Sequence, residues 1–262
     1  MVRSLYTAAT GMMSQQMQID VVSNNISNVN TIGYKKQRAE FADLFYQTME
    51  YAGTSTSTTT QSPTGINVGL GVRPTAVTKI FTQGNLKQTN NNLDLAIQGD
   101  GFFQIQLPDG RIAYTRDGAF KLDSEGNIVT SDGYKLIPEI TLPPTTVQVS
   151  IGTDGTVSIL EAGQTQMQQI GQIQLAKFIN PAGLHSLGSN LYINTSASGD
   201  PIVSNPGIDG LGEIRQGFIE MSNVQLVEEM TDLITGQRAY DAASKAIMTS
   251  DEMLQTVNNL KR

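Results

Sequence analysis

Side chains able to do chemistry are sparse in this 262-residue chain, and their spacing argues against catalysis. His185 is the sole histidine and cysteine is absent. That excludes disulfides, thiolate metal sites and a cysteine nucleophile, and one histidine cannot build a zinc site of the usual kind. Ser186 follows His185, but Gly183-Leu184-His185-Ser186-Leu187-Gly188 is not the G-x-S-x-G of a nucleophile elbow and reads as a loop. Gly99-Asp100-Gly101 and Gly69-Leu70-Gly71 lack the third glycine and the following helix of a dinucleotide loop, so both read as turns. The repeated Asp-Gly pairs have neither the D-x-[DN]-x-[DN]-G pattern nor the G-G-x-G-x-D repeat of calcium sites. The paired carboxylates Glu228-Glu229 and Asp251-Glu252 are expected on the outer side of a helix, as solvated or intersubunit charge. No catalytic residue, metal site or cofactor is expected.

The densest polar feature is Ser23–Asn30, SNNISNVN. Asn24, Asn25 and Asn28 are poor helix formers. They mark either a helix end running into a turn, or buried amides that hydrogen-bond between helices and fix their register at some cost in stability.

The elements around these residues are helical at both ends and β between. Leu5, Ala8, Met12, Gln15, Ile19, Val22, Ile26 and Val29 step by threes and fours. So, nearly, do Leu226, Met230, Leu233, Gln237, Tyr240, Ala243, Ile247, Ser250, Leu254 and Val257. Such steps lay side chains along one narrow helical stripe, the geometry of a coiled-coil seam. The first helix is predicted over about 5–29, ending at Asn30, Thr31 and Gly33. Phe41–Tyr51 is expected to form a short second helix. Gly53–Gly65, rich in Ser and Thr, reads as an extended or flexible arm. From about Val68 the period becomes 2: Leu93, Leu95, Ile97, then Phe103, Ile105, Leu107. Asp109-Gly110, Asp117-Gly118, Glu125-Gly126, Asp132-Gly133, Asp154-Gly155 and Asp209-Gly210 punctuate it, and such pairs favour type I′ hairpin turns. The fold class is α+β: terminal helices pairing like a coiled coil, and a central, mainly antiparallel β domain. Residues 1–38 with 220–262 form a discontinuous assembly domain, 39–71 a linker and 72–219 the β domain.

Composition narrows the function. The net charge is −7 and only 16% of residues are charged. No basic patch is present to meet phosphate backbones, so nucleic-acid binding is not expected. The N-terminus lacks the unbroken apolar run of a cleaved signal peptide, and no stretch approaches the roughly 20 apolar residues of a membrane span. Ordering each residue of a terminal helix costs roughly 1–2 kcal/mol. Each large apolar side chain returns roughly 1.5–3 kcal/mol on burial. An isolated seam therefore comes out near zero, and the helices need partner faces. Ala239, Ala242, Ala243 and Ala246 offer a small-residue face for one. The termini are expected to fold on assembly, with Leu5, Met12, Ile19, Val22, Asn24, Asn25, Ile26, Asn28, Val29, Leu226, Met230, Leu233, Tyr240, Ala243, Ile247, Leu254 and Val257 at the interfaces.

Three segments carry a resemblance: SNNISNVNTIGYKK (Ser23–Lys36), GDGFFQIQLPDGRIAYTRDGAFKLDSEGNIVTSDGY (Gly99–Tyr134) and SNVQLVEEMTDLITGQRAYDAASKAIMTSDEMLQTVNNLKR (Ser222–Arg262). They resemble the signatures of the bacterial flagellar rod and hook (axial) proteins, across nearly the whole chain. The length, with YQTMEYAGTSTSTTTQSP (Tyr46–Pro63) and GINVGLGVRP (Gly65–Pro74), is most similar to members from the distal rod. The hook protein is usually longer and proximal rod proteins mostly shorter; either is the nearest alternative. A secreted glycan-active enzyme is a remote one, needing two carboxylates about 5–10 Å apart in a cleft. The resemblance implies a structural subunit that stacks helically with copies of itself into a stiff hollow shaft carrying torque from motor to hook. It implies as partners the proximal rod and hook proteins, the peptidoglycan-layer and outer-membrane rings, and the type III export apparatus. It places the protein in the basal-body rod crossing the periplasm, exported without a cleaved signal peptide.

Overall fold

The computed structural model describes residues 2–53, 63–164 and 166–259. The chain divides into two compact units. A terminal unit comprises Met1–Ile26, Gln37–Thr78 and Gln225–Arg262. A central unit comprises Ser27–Lys36 and Lys79–Val224.

Two helices dominate the terminal unit. Helix α1 spans Val2–Ser27 and helix α2 spans Leu226–Asn259. At 1.5 Å per residue the second is about 50 Å long. Glu228 and Glu229 stand in its first turn, where the positive end of the helix dipole favours carboxylates. Among the described residues no helix is long and apolar enough to cross a membrane. The stretch expected to be a short helix, Phe41–Tyr51, is instead extended. Gln37–Asp43 pairs with Val72–Lys79, and Tyr46–Glu50 pairs antiparallel with Ile66–Gly69. Ladder hydrogen bonds to residues 66–79 override a local preference that a short helix could not sustain alone. The Ser/Thr-rich arm expected over Gly53–Gly65 falls mostly on residues 54–62, outside the described residues.

The central unit is a set of antiparallel ladders. Its main sheet runs, in spatial order, His185–Gly188, Leu191–Ile193, Ile112–Thr115, Phe102–Gln106, Lys135–Ile137, Ile128–Val129 and Lys121–Leu122. Leu175–Lys177 also pairs with the Phe102 strand and brings Ile202–Ser204 alongside. Thr146–Ile151, Thr156–Glu161 and Gln168–Gln172 form a separate meander. Leu95–Gln98 pairs with Glu213–Gln216, and Leu86–Gln88 with Phe218–Glu220. His185 thus sits in an exposed strand and not in the loop the sequence suggested.

Period 2 puts alternate side chains on opposite faces of a strand, and here both faces are covered. Phe103, Ile105, Leu95 and Ile97 enter the larger core, while Phe102 joins Tyr114, Phe178 and Tyr192 in an aromatic cluster. The rings of that cluster meet edge to face, with Tyr114 and Phe178 centroids 4.7 Å apart. The Asp-Gly turns mostly differ from the type I′ expectation. At Asp109, Asp132 and Asp154 only the following glycine has positive φ, whereas Asp209 and Gly210 both do, at 55° and 72°. Gly118 serves packing: a Cβ there would run into the Leu95 carbonyl.

One edge of the meander is closed by a side chain. The Gln216 amide accepts from Ile151 N–H at 3.1 Å and donates to the Val149 carbonyl at 3.0 Å, standing where a neighbouring strand would be.

Candidate assembly surface

In the terminal unit, α1 and α2 run antiparallel past each other, with contacts at three levels. Asn25 meets Glu229, Ile19 and Gln15 flank Gly236, and Ser4 meets Ser250 at 3.4 Å between hydroxyl oxygens. Residue numbers fall along one helix as they rise along the other. A Cβ on Gly236 would lie 3.3 Å from Ile19 Cγ1, so this glycine sets the closest approach. The alanine face takes no part in this contact: Ala239, Ala242 and Ala246 are exposed, and Ala243 is half-buried.

Asn25 is the polar centre of the contact. It is buried, its Nδ2 donates to the Gln37 carbonyl at 2.9 Å and to Glu229 Oε2 at 3.0 Å, and its Oδ1 accepts from Gln37 N–H at 2.9 Å. Of the two readings of the Asn-rich stretch, Asn25 follows the interhelical one. Asn28 follows the other: its carbonyl and side-chain oxygen accept from Thr31 N–H and Oγ1, each at 3.1 Å, closing a turn. Asn24 is exposed. Glu229, expected on the outer side of the helix as solvated or intersubunit charge, is buried within the chain, where the Asn25 amide compensates its lost hydration.

The predicted interface residues divide by position. On α1, Val22 is buried, and Leu5, Met12, Ile19 and Ile26 are half-buried; Val29, just past the helix, is also half-buried. On α2, Leu233, Ala243, Ile247 and Leu254 are half-buried, whereas Leu226, Met230 and Tyr240 are exposed; the Val257 side chain lies outside the described residues. The covered stripe of α2 is Glu229, Leu233, Gly236, Ala243, Ile247, Ser250 and Leu254, which keeps heptad spacing with Tyr240 in the one gap. Its three most buried members are a carboxylate, a glycine and a hydroxyl. Large apolar side chains of the same unit face outward: Phe45 is 89% exposed, Val227 78%, Tyr51 73% and Met13 72%.

Sequence reasoning missed a second polar cluster, in the central unit. Lys35 Nζ donates to Glu220 Oε1 at 2.6 Å and to the Thr82 carbonyl at 2.8 Å. Gly84 N–H also donates to Oε1, and Arg116 Nη1 stands 3.3 Å from Glu220 Oε2. All three charged side chains are buried. Burial pushes the Lys35 and Arg116 cations below their ordinary pKa values, while Glu220 pulls both back. Asn223 accepts from Lys36 N–H at 2.7 Å and donates to the Ile80 carbonyl at 2.9 Å. The residues just after α1 and just before α2 are thus pinned to one body. The signal available in sequence was the run Gly33-Tyr34-Lys35-Lys36, whose charge has no helical stripe to explain it.

Comparison with known proteins decides the family. Residues 5–35 match the family model described as flagella basal body rod protein. Residues 96–159 match the flagellar hook protein FlgE/F/G D1 domain, and residues 215–260 the flagellar basal body rod FlgEFG protein C-terminal region. The chain is 52% identical over 260 residues to flagellar basal-body rod protein FlgG of Buchnera aphidicola subsp. Schizaphis graminum, covering 99% of this chain and 100% of that one. The chain belongs to the flagellar basal-body rod protein family. Rod proteins named FlgG from Borreliella burgdorferi, 51% identical, and Bacillus subtilis, 43% identical, align over 100% of both chains. The rod-protein match at the N-terminus contains Asn25 and Lys35, and the C-terminal match contains Glu220 and Glu229, so both buried polar contacts lie within the family's own segments.

Proposed function

We propose that the chain is a structural subunit of the distal rod of the bacterial flagellar basal body, with no catalytic role. The observation that carries the reading is the unfinished surface of the terminal unit. The most buried groups of its α2 stripe are polar or small, while Phe45, Tyr51, Met13 and Val227 stand in solvent. Large apolar side chains left in solvent in this number favour association with a neighbour. Copies stack through it by heterologous contacts that do not close, and such contacts make helical filaments. The assembly domain draws on the terminal stretches within residues 1–38 and 220–262 that belong to the terminal unit, together with its 37–78 segment, α1 and α2 packing as a coiled-coil-like layer within a hollow, stiff shaft that transmits torque. Its partners are further copies, the proximal rod and hook proteins, and the peptidoglycan-layer and outer-membrane rings. Export proceeds through the type III apparatus without a cleaved signal peptide.

Removing residues 5–29 or 226–257 tests this. Each truncated chain is expected to lose polymerisation and rod formation while the central unit keeps its β circular dichroism and cooperative melt. A truncated chain that still built rods would overturn the reading.

A further inference from the structure

The central unit contains a cavity of about 200 Å3 whose lining includes Phe81, Phe102, Phe178, Lys177 and Arg116. Arg116 is almost wholly buried, and its Nε has no partner among the described residues. Arginine carries five donors and keeps its charge, so an idle buried donor is costly. Glu220 is the carboxylate that meets the Arg116 guanidinium, and it is shared with Lys35, which it holds more closely. Asp100 in the lining also acts on Arg116, so Lys35, Arg116 and Lys177 face two carboxylates, Glu220 and Asp100, and leave one positive charge in excess.

The walls are aromatic. Arg116 Cζ lies 5.3 Å from the Phe102 ring centroid, and Phe81 and Phe178 meet that ring edge to face at 5.5 and 5.8 Å. At the mouth Lys177 Nζ stands 3.6 Å from Asp100, an ion pair exposed enough to exchange readily, and Ile179 is 83% exposed. The volume is below the roughly 300–1,000 Å3 of sites for drug-sized ligands, which excludes a nucleotide and suits one ring or one side chain.

We propose that this cavity binds a compact carboxylate carried on an apolar or aromatic group. The carboxylate meets the Arg116 guanidinium and Lys177, and the apolar body lies against the three phenylalanine rings. Its source is either a small free acid or an acidic side chain of another copy of the chain presented beside an apolar one.

The probe is 3-phenylpropionate, titrated into the full chain kept monomeric and followed by amide NMR shifts. Saturable binding is expected, with shifts confined to the neighbourhood of Gly101, Phe102 and Lys177–Ile179. The isosteric 3-phenylpropanamide is expected to bind at least about tenfold more weakly, since it lacks the charge-assisted hydrogen bonds. Lys177→Gln should weaken the acid by about three- to tenfold and leave the amide unchanged. Because the acid–amide contrast uses the unmodified chain, it does not depend on any variant folding. Equal affinity for acid and amide, no saturable binding of the acid, or shifts elsewhere would overturn the proposal. Repeating the titration on assembled polymer identifies the source: lost binding assigns the site to a neighbouring copy's side chain, and retained binding to a free acid.

Discussion

The two units solve the burial problem in opposite ways. Every one of the largest fully buried side chains, Tyr192, Phe103, Phe120 and Leu95 among them, belongs to the central unit. The terminal unit buries mainly small or polar groups, such as Ser14, Asn25, Glu229, Gly236 and Ser250, and shows large apolar ones to solvent. A core that closes on itself makes a stable body. A unit whose most buried helix contacts are polar or small, and whose large apolar side chains stand outside, gains less from its own burial. The difference is one of burial: one unit encloses its large apolar side chains, the other exposes several of them.

The sharpest way to break this contrast is at Glu220. Replacement by alanine leaves Lys35 and Arg116 buried without their carboxylate and is expected to cost roughly 3–5 kcal/mol in urea unfolding of the full chain. A loss below 1 kcal/mol would show that the central unit does not depend on the cluster. Next in size is Asn25. A double-mutant cycle of Asn25→Ala with Glu229→Ala should give a coupling of about 1.5–3 kcal/mol, as for a buried hydrogen bond to a charged group; additive losses would deny the interhelical contact. Alkaline unfolding separates the units by chemistry. Burial raises the Tyr114 and Tyr192 phenols above the ordinary value of 10.0. The unfolded chain then loses those protons first, so the stability they contribute is present below pH 10 and falls as pH rises past it. Tyr192→Phe should flatten that slope by up to about 1.4 kcal/mol per pH unit. The smallest effect belongs to Gly236→Ala. Helix propensity gains about 1 kcal/mol while the 3.3 Å approach to Ile19 takes part of it back, so the melt should hardly move. A large loss there would mean that the helix contact is tighter than a single methyl group allows.

Hydrogen exchange on dilute monomer extends the comparison to assembly. Slow exchange is expected for the Phe102–Gln106 strand and fast exchange for α1 and α2. Equal protection in both would mean that the helices need no neighbours.

What the sequence made legible was local. Alternation over Leu95–Ile97 and Phe103–Leu107 located the core strands, because period 2 is written in adjacent residues. Asn30, Thr31 and Gly33 located the end of α1 for the same reason: the turn is built within five residues, and Gly33 takes φ +69°. What stayed hidden depended on partners far along the chain. Glu229 looks like any surface carboxylate until Asn25, 204 positions earlier, is placed against it. Phe41–Tyr51 reads as a helix until residues 66–79 arrive to pair with it. Gly236 looked unremarkable beside a run of alanines, since only the docked α1 reveals which small residue is the closest contact.

The Gln216 amide seated against Val149 and Ile151 has a consequence for fidelity. Open sheet edges present unpaired backbone groups that recruit strands of other chains, a hazard that grows with local concentration. One side-chain amide occupies the backbone groups at that edge which an invading strand would need. At this one edge an invading strand would find the Val149 carbonyl and the Ile151 N–H already taken, so a single glutamine stands in for the strand that is missing there.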